Sequence, residues 1–317
     1  MFASLVTFGC AIWACGALYF DLPTMRVAGA AVFAIVILGL LIFVRGAWKK
    51  IGCTMLGFAV VLAWWLTLKP SNERPWQADV AQTAWADIDG DTVTLHNIRD
   101  CDYRTETDFT PRWGTRIVKL SQLTAIDLAI TYWGSPYMAH PMVSFQFADA
   151  PPLCFSIETR KEVGETYSAI GGFYRQYELI YVVAEERDVL RLRTNFRNGE
   201  DVYLYRLTAP PAKVRERFLD YLAALNRLHA EPRWYNAATT NCTTSIRTQH
   251  AAAERPPWDW RILVNGKGDE LLYERRAIAA GGLPFAELKN QALINTAARS
   301  ADIANFSNRI RAGRAGF

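Results

Sequence analysis

Charge is absent from three long stretches near the start of this 317-residue chain. Residues 2–20, 27–44 and 51–68 contain no Asp, Glu, Lys or Arg. Each run has 18 or 19 residues, close to the roughly 20 that cross a bilayer core of about 30 Å. One such run can be a buried core helix, but three of them within 68 residues argue against it. The first run also lacks a basic segment ahead of it and is soon followed by a second span, so a cleaved signal peptide fits poorly. Residues 1–68 are therefore read as three transmembrane helices, and residues 69–317 as an external domain. Other absences narrow the function. No C-x-x-C pair occurs among the six cysteines, so a zinc ribbon or a thioredoxin-type motif is unsupported. There is no internal repeat. The net charge is only +4, with acids and bases interspersed, so nucleic acid is not an expected partner. No metal site or other cofactor is expected.

The links between the apolar runs orient them. Arg45, Lys49 and Lys50 separate the second run from the third, whereas the first link, DLPTMR, carries one Asp and one Arg. Because Lys and Arg favour the cytoplasmic side, the N-terminus is expected inside. Everything after Lys69 would then be periplasmic, outside a bacterial inner membrane. Trp64 and Trp65, near the end of the third run, suit an interfacial belt or a packing role. Arg309, Arg311 and Arg314 in the tail FSNRIRAGRAGF could touch anionic lipid, but a disordered terminus accounts for them better.

Beyond the polar linker SNERPWQ, the pattern turns strand-like. ADIDGDTVTLHNI reads as a hairpin with its turn at Asp89-Gly90-Asp91 and a strand over Thr92–Ile98. IVKLSQLTAIDLAITYW supplies one or two more strands. ELIYVVA, DVLRLRT and DVYLYRL form three further strand-like runs, with Arg197-Asn198-Gly199 turning between the last two. After Pro210-Pro211 the spacing changes to threes and fours, and KVRERFLDYLAALNRLH predicts an amphipathic helix of about four turns. The external part is an α+β domain, with a sheet-rich half followed by helices.

VSFQF and LCFSIE flank ADAPP, which makes a β-hairpin the simplest reading. Alternation puts Val143, Phe145 and Phe147 on one face with Leu153, Phe155 and Ile157. The other face carries His140, Ser144 and Gln146 with Cys154, Ser156 and Glu158. With the turn near residues 149–150, His140 lies opposite Glu158 or Arg160. An imidazole beside a carboxylate is held in orientation, and its protonated form is stabilised. Taken singly, each residue has a bland account: a structural histidine, a surface glutamate, a buried thiol. The stretch YNAATTNCTTSIRTQ looks like a loop entering a helix, with Thr239, Thr240 and Asn241 as candidate caps before Cys242. A thiol in a first helical turn feels the positive end of the dipole, and a neighbouring imidazole lowers its pKa further. The chain order His140, Glu158, Cys242 is the reverse of papain's, yet fits a circularly permuted papain-like fold.

WYNAATTNCTTSI, IDGDTVTLHNIRD with DYRTETDF, YWGSPYMAHPMVSFQF, SIETRKEVGETYSAIGGFYRQYELIYVVAEERDVLRLRTN and LPFAELKNQALIN together resemble the Lnb N-terminal periplasmic domain family, over about residues 70–295. The resemblance implies kinship with papain-like thiol enzymes. It also suggests a link to N-acylation of bacterial lipoproteins, in which a fatty acyl chain moves onto an N-terminal amine. Carried over, it implies Cys242 as nucleophile, His140 as the proton carrier and Glu158 as the group that holds the ring. Asn241, with the Cys242 amide, is expected at the oxyanion and Tyr235 in support. Tyr132, Trp133, Tyr137 and Trp234 could wall an acyl groove, although most such aromatics are core.

Three functions follow as expectations. The first is a cysteine-dependent acyl transferase working on membrane lipids and lipoproteins. The second is a thiol peptidase or amidase of the cell envelope. The third is a non-catalytic binding module, which would bury Cys242 or tie it by a disulfide to Cys101 or Cys154.

Overall fold

The computed structural model describes residues 2–249, 257–262 and 265–317. Three helices come first: α1 (Phe2–Asp21), α2 (Arg26–Phe43) and α3 (Ala47–Thr67). All three are long and apolar enough to cross a membrane, and most of their large apolar side chains point outward with no protein against them. That surface needs a lipid solvent. A small cluster of Ala14, Ala17 and Val61, wrapped by Trp13, Phe58 and Trp65, holds α1 against α3.

The linker that follows is laid down on the domain. Asn72 Nδ2 donates to the His229 carbonyl at 2.8 Å, and Arg74 pairs with Glu162 at 2.9 Å and Glu178 at 3.1 Å. Trp76 lies under the Arg160 guanidinium, 4.2 Å from it. The strands are β1 (Trp85–Asp89), β2 (Thr92–Arg99), the short pair β3 (Asp102–Tyr103) and β4 (Phe109–Thr110), β5 (Trp113–Lys119), β6 (Leu123–Trp133), β7 (Ala139–Phe147), β8 (Leu153–Arg160) and β9 (Glu178–Glu185). After β9 come a helix, α4 (Glu186–Arg191), and then β10 (Glu200–Arg206). The main sheet runs β1-β2-β9-β8-β7-β6-β10, with β5 on the other side of β2. It is antiparallel except where β2 meets β9 through the single parallel pair Arg99↔Ala184.

Helix α5 (Pro211–Ala230) covers one face of this sheet with Val214, Phe218, Tyr221, Leu222 and Leu225, as its spacing predicts. Against them stand Val143, Phe145, Leu153, Phe155 and Ile157, the face that alternation assigned to the core. Beyond α5 lie α6 (Cys242–Gln249), α7 (Gly268–Glu274), α8 (Phe285–Ala292), α9 (Asn295–Arg299) and α10 (Phe306–Arg309). Ile294, Ala298, Phe306 and Ile310 from this last stretch cover the opposite face, over Met142, Cys154 and Val182. The architecture is α+β, as expected. The β1–β2 hairpin also forms, with Gly90 at φ +56°, a conformation that glycine adopts without strain.

Two expectations fail. DVLRLRT is not a strand: Asp188–Arg191 lie in α4, and Leu192–Phe196 make a π-helical turn. Leu192, Arg193 and Thr194 are all buried, and the turn carries Arg193 inward to buried carboxylates. The tail is not loose either. Arg311 reaches inward, donating to Asp127 Oδ2 at 2.7 Å and to Glu186 Oε2 at 2.8 Å, two carboxylates with no exposed surface. Arg314 donates to the Leu293 carbonyl at 3.1 Å, and only Arg309 is left exposed.

Arg311→Ala would leave two buried carboxylates short of a counter-charge, so a loss of about 3–5 kcal/mol is expected. Urea unfolding of the detergent-solubilised chain measures it, and an unchanged midpoint would show the cluster to be dispensable.

Candidate active site

The β7–β8 register runs from Phe145↔Leu153 to Met142↔Ser156, which two residues further on sets His140 across from Glu158. The contacts agree. His140 Nε2 is 2.7 Å from Ser156 Oγ and 3.2 Å from Glu158 Oε1, and the Ser156 hydroxyl donates to the same Oε1 at 2.6 Å. Behind the carboxylate, Arg193 donates to Oε1 at 2.8 Å. Arg193 also pairs with Glu200 at 3.2 Å. The π-helical turn is what delivers Arg193 here. The rest of the polar face expected for this hairpin belongs elsewhere: Ser144 donates to Glu186 at 2.5 Å, and Cys154 is fully buried.

Cys242 opens α6. Asn241 caps the helix: its Oδ1 accepts from the Thr244 amide at 2.9 Å, while Thr244 Oγ1 accepts from the Asn241 amide at 2.9 Å. This reciprocal pair satisfies amides that the first turn would leave open. Asn241 Nδ2 donates to the Ala237 carbonyl at 2.8 Å, so its side-chain amide is spent on the loop and not aimed at a substrate. The donor at the sulfur is another asparagine. Asn265 Nδ2 lies 3.8 Å from Cys242 Sγ, and Asn265 Oδ1 accepts from the Ala139 amide at 2.9 Å. Nothing in the sequence around Asn265 marks it, because its partner is 23 residues away.

The external cysteines differ in their chemistry. All six cysteines in the chain are unpaired, so Cys242 is bonded to neither Cys101 nor Cys154. Burial pushes the Cys101 thiol up to about 11 and the Cys154 thiol well above its ordinary value. Burial acts the same way on Cys242, but its hydrogen bond with His140 and the imidazole's charge outweigh it, and the pKa falls below the ordinary value. For His140, burial opposes the charge, yet the Glu158 carboxylate raises the imidazole to about 9. Burial likewise raises Glu158, but His140 and Arg193 overcome it and hold the carboxyl well below its ordinary range. Since Nε2 faces Ser156 and Glu158, Nδ1 is the nitrogen left for the thiol. Between the lowered thiol pKa and about 9, the pair stands as thiolate and imidazolium.

The aromatic residues do not form one wall. Tyr132 donates to the Gly266 carbonyl at 2.9 Å and packs on Tyr203. Trp133 and Tyr137 are exposed beyond it, and Trp234 lies 5.1 Å from Arg74. The ring close to the thiol is Tyr235, hydrogen-bonded to Tyr167, and both feel the Cys242 charge. Gly172 makes room for it, since a Cβ there would stand 3.2 Å from the Tyr235 ring and 3.3 Å from Ala237. Sequence reading missed Tyr167, which lies in a segment without regular structure. Among the described residues, no group of three or more His, Cys, Asp and Glu side chains is arranged to hold a metal ion.

Glu158→Gln removes the main charge that sustains the imidazolium and leaves only the Cys242 contact to support it, while burial and Arg193 continue to oppose it. The His140 pKa is expected to fall clearly from about 9 toward its ordinary range. An NMR titration of the ring checks this, and a value still near 9 would show that Glu158 is not the cause.

Comparison with known proteins adds one finding. Residues 109–266, which include His140, Glu158 and Cys242, match the family model of the Lnb N-terminal periplasmic domain. No curated protein and no solved structure matches the chain. With three apolar helices ahead of it, the matched segment makes this a membrane-anchored protein whose external part is of a periplasmic type. Through residues 109–266, the chain belongs to the Lnb N-terminal periplasmic domain family.

Proposed function

We propose that the protein is a cysteine-dependent acyl transferase facing the periplasm, with Cys242 as nucleophile, His140 as proton carrier and Glu158 as the ring's anchor. The observation that carries this reading is the placement of Cys242 at the first turn of α6, beside Asn265 and a His140 ring anchored on Glu158 and Ser156, an arrangement that lowers the thiol pKa. In this reading α1 starts in the cytoplasm of a bacterial inner-membrane protein, following the basic link at residues 45–50. The papain-like, circularly permuted relation belongs to the same proposal.

The reaction divides into two halves. The Cys242 thiolate attacks the carbonyl carbon of an ester, and the oxyanion that forms is met by the Cys242 amide and Asn265 Nδ2. As the C–O bond breaks, the His140 imidazolium gives its proton to the leaving alcohol, and an acyl-thioester remains on Sγ. An amine then attacks the thioester. Neutral His140 takes the amine's proton, the C–S bond breaks, and an amide is released with the thiolate restored. Phospholipid or lipoprotein esters as donors, and lipoprotein N-termini as acceptors, fit a site tethered next to a bilayer.

The second reading, a thiol peptidase or amidase, uses the same residues with water in place of the amine. It is supported by the polar surroundings of His140, where Ser156, Glu158 and Arg193 converge. A binding module is the third reading. It is disfavoured by the chemistry of Cys242, which burial alone would have made inert.

Two measurements separate these readings. Iodoacetamide should alkylate Cys242 well below pH 8, and His140→Ala should push labelling up to at least the ordinary thiol range of about 8.5. Labelling confined to high pH in the unmodified chain would end both enzymatic readings. Mass spectrometry after incubation with phospholipid liposomes should then show an acyl mass on the Cys242 peptide. An activated thiol that never carries acyl but cleaves envelope peptides would favour the hydrolase.

A further inference from the structure

Between β8 and β9 runs a segment without regular strands, residues 161–177, which touches both the membrane helices and the site. At its far end, Tyr174 stacks on Phe20 of α1, with ring centroids 5.1 Å apart, and lies 6.0 Å from Trp13. It fits against Gly16, where a Cβ would fall within 2.0 Å of the Tyr174 hydroxyl oxygen. Next to it, Arg175 donates to the Trp65 and Leu68 carbonyls at 2.6 and 2.8 Å, and lies 3.8 Å from the Trp65 ring centroid. Its amide donates to Asp21 at 3.1 Å, and the Trp65 indole donates to the same carboxylate at 2.6 Å. At the near end, Tyr167 is hydrogen-bonded to Tyr235 beside the thiol. Between these ends, the Gly172 carbonyl accepts from the Ala237 amide at 2.7 Å, five residues before Cys242.

The solvent-facing side of this segment is unusual for a loop. Val163, Tyr167, Ile170 and Phe173 are each more than half exposed. No exposed side chain from 163 to 173 is charged. The charged residues of the stretch are turned inward: Glu162 pairs with Arg74 at 2.9 Å, and Glu165 accepts from the Glu162 amide at 2.7 Å. A loop meant for water shows the reverse arrangement, and four exposed large apolar side chains within eleven residues mark a contact site. The depth is also informative. Gly16 precedes Asp21 by five residues, so the Tyr174 ring reaches about 7.5 Å along the span from its end. Amphipathic segments that lie in a bilayer interface sink roughly 5–10 Å.

We infer that residues 163–173 are a membrane-dipping loop, in which Val163, Ile170 and Phe173 enter the apolar edge of the bilayer and Tyr167 stands between lipid and the Cys242 thiol. The occupant of this surface is the phospholipid of the same leaflet. Continuity with the Tyr174–Phe20 contact identifies it, because Phe173 and Gly171 flank residues already set against α1. The active site sits at the matching end of the sheet. Glu158 lies two residues before the end of β8, next to the loop, whereas Leu153 begins that strand at the other end. The loop's insertion is independent of the catalytic reading; its bearing on the substrate rests on it. A lipid ester would pass along the loop to the thiol without crossing water.

The test installs a photoreactive benzoylphenylalanine in place of Ile170, Phe173, Ile117 or Val32 in the full chain, reconstituted in phospholipid nanodiscs. Val32 faces outward from α2 and reports that the chemistry works. Ile117 is as exposed as Ile170, but its neighbour Arg116 bonds the Pro151 carbonyl at 3.4 Å, near the Leu153 end of β8. That end is about 23 Å from the loop at a strand rise of ~3.3 Å per residue. Lipid adducts at 170, 173 and 32, with none at 117, are expected. Adducts at 32 alone, or equal yields at 170, 173 and 117, overturn the inference. Ile170→Asp with Phe173→Asp should leave Cys242 alkylation in detergent unchanged and abolish its acyl adduct from liposomes. Retained acylation by that variant would overturn the loop's role in supplying substrate. Slow Cys242 alkylation in the unmodified chain, with lipid adducts intact, would instead sink the thiol reading and leave the loop's insertion standing.

Discussion

One carboxylate oxygen holds the candidate site together. Glu158 Oε1 is the point where the His140 ring, the Ser156 hydroxyl and the Arg193 guanidinium meet. Three donors on one acceptor keep that carboxyl ionised inside the protein, and the ionised carboxyl keeps the imidazole charged against the cost of burial. The charged imidazole in turn lowers the thiol. Each step depends on the one before it, so the lowered pKa of Cys242 is set from β8 and not by the helix that carries the thiol alone. Arg193 has a double part. It stabilises the carboxylate and at the same time opposes the imidazolium charge.

The same logic of fixed partners joins the domain to its membrane helices. The external domain does not hang from a flexible tether, because the linker is bound through Asn72, Arg74 and Trp76. Arg175 clasps the ends of α1 and α3. A thiol held this way has one height above the bilayer, set by the Arg175 and Tyr174 contacts with α1 and α3.

How far the sequence reveals this arrangement varies with the range of the interaction. The apolar runs and α5 could be read directly, because their periodicity is local. The β7–β8 register could be read as well: ADAPP sets the turn, and a slip of one residue would expose Phe145 and Phe155 to the polar face. Two site residues thus come together on sequence grounds, and the cap at Asn241 follows from its place before Cys242. What could not be read depends on distant partners. DVLRLRT alternates like a strand, yet Glu186, Asp188 and Arg193 are each drawn into buried ion pairs by residues on other elements. Asn265 and Tyr167 sit in segments with no period, and only the folded chain shows what they touch.

Arg311 has a consequence for how the protein is made. Its partners Asp127 and Glu186 lie 184 and 125 residues earlier in the chain. Until that arginine has been synthesised, Glu186 lacks its guanidinium partner and Asp127 is held by Arg206 alone. The membrane helices, by contrast, emerge first, and only the ends of α1 and α3 wait for Tyr174 and Arg175. The order of assembly is therefore split: the apolar helices are complete early, while the domain beside them cannot close until its last strap arrives.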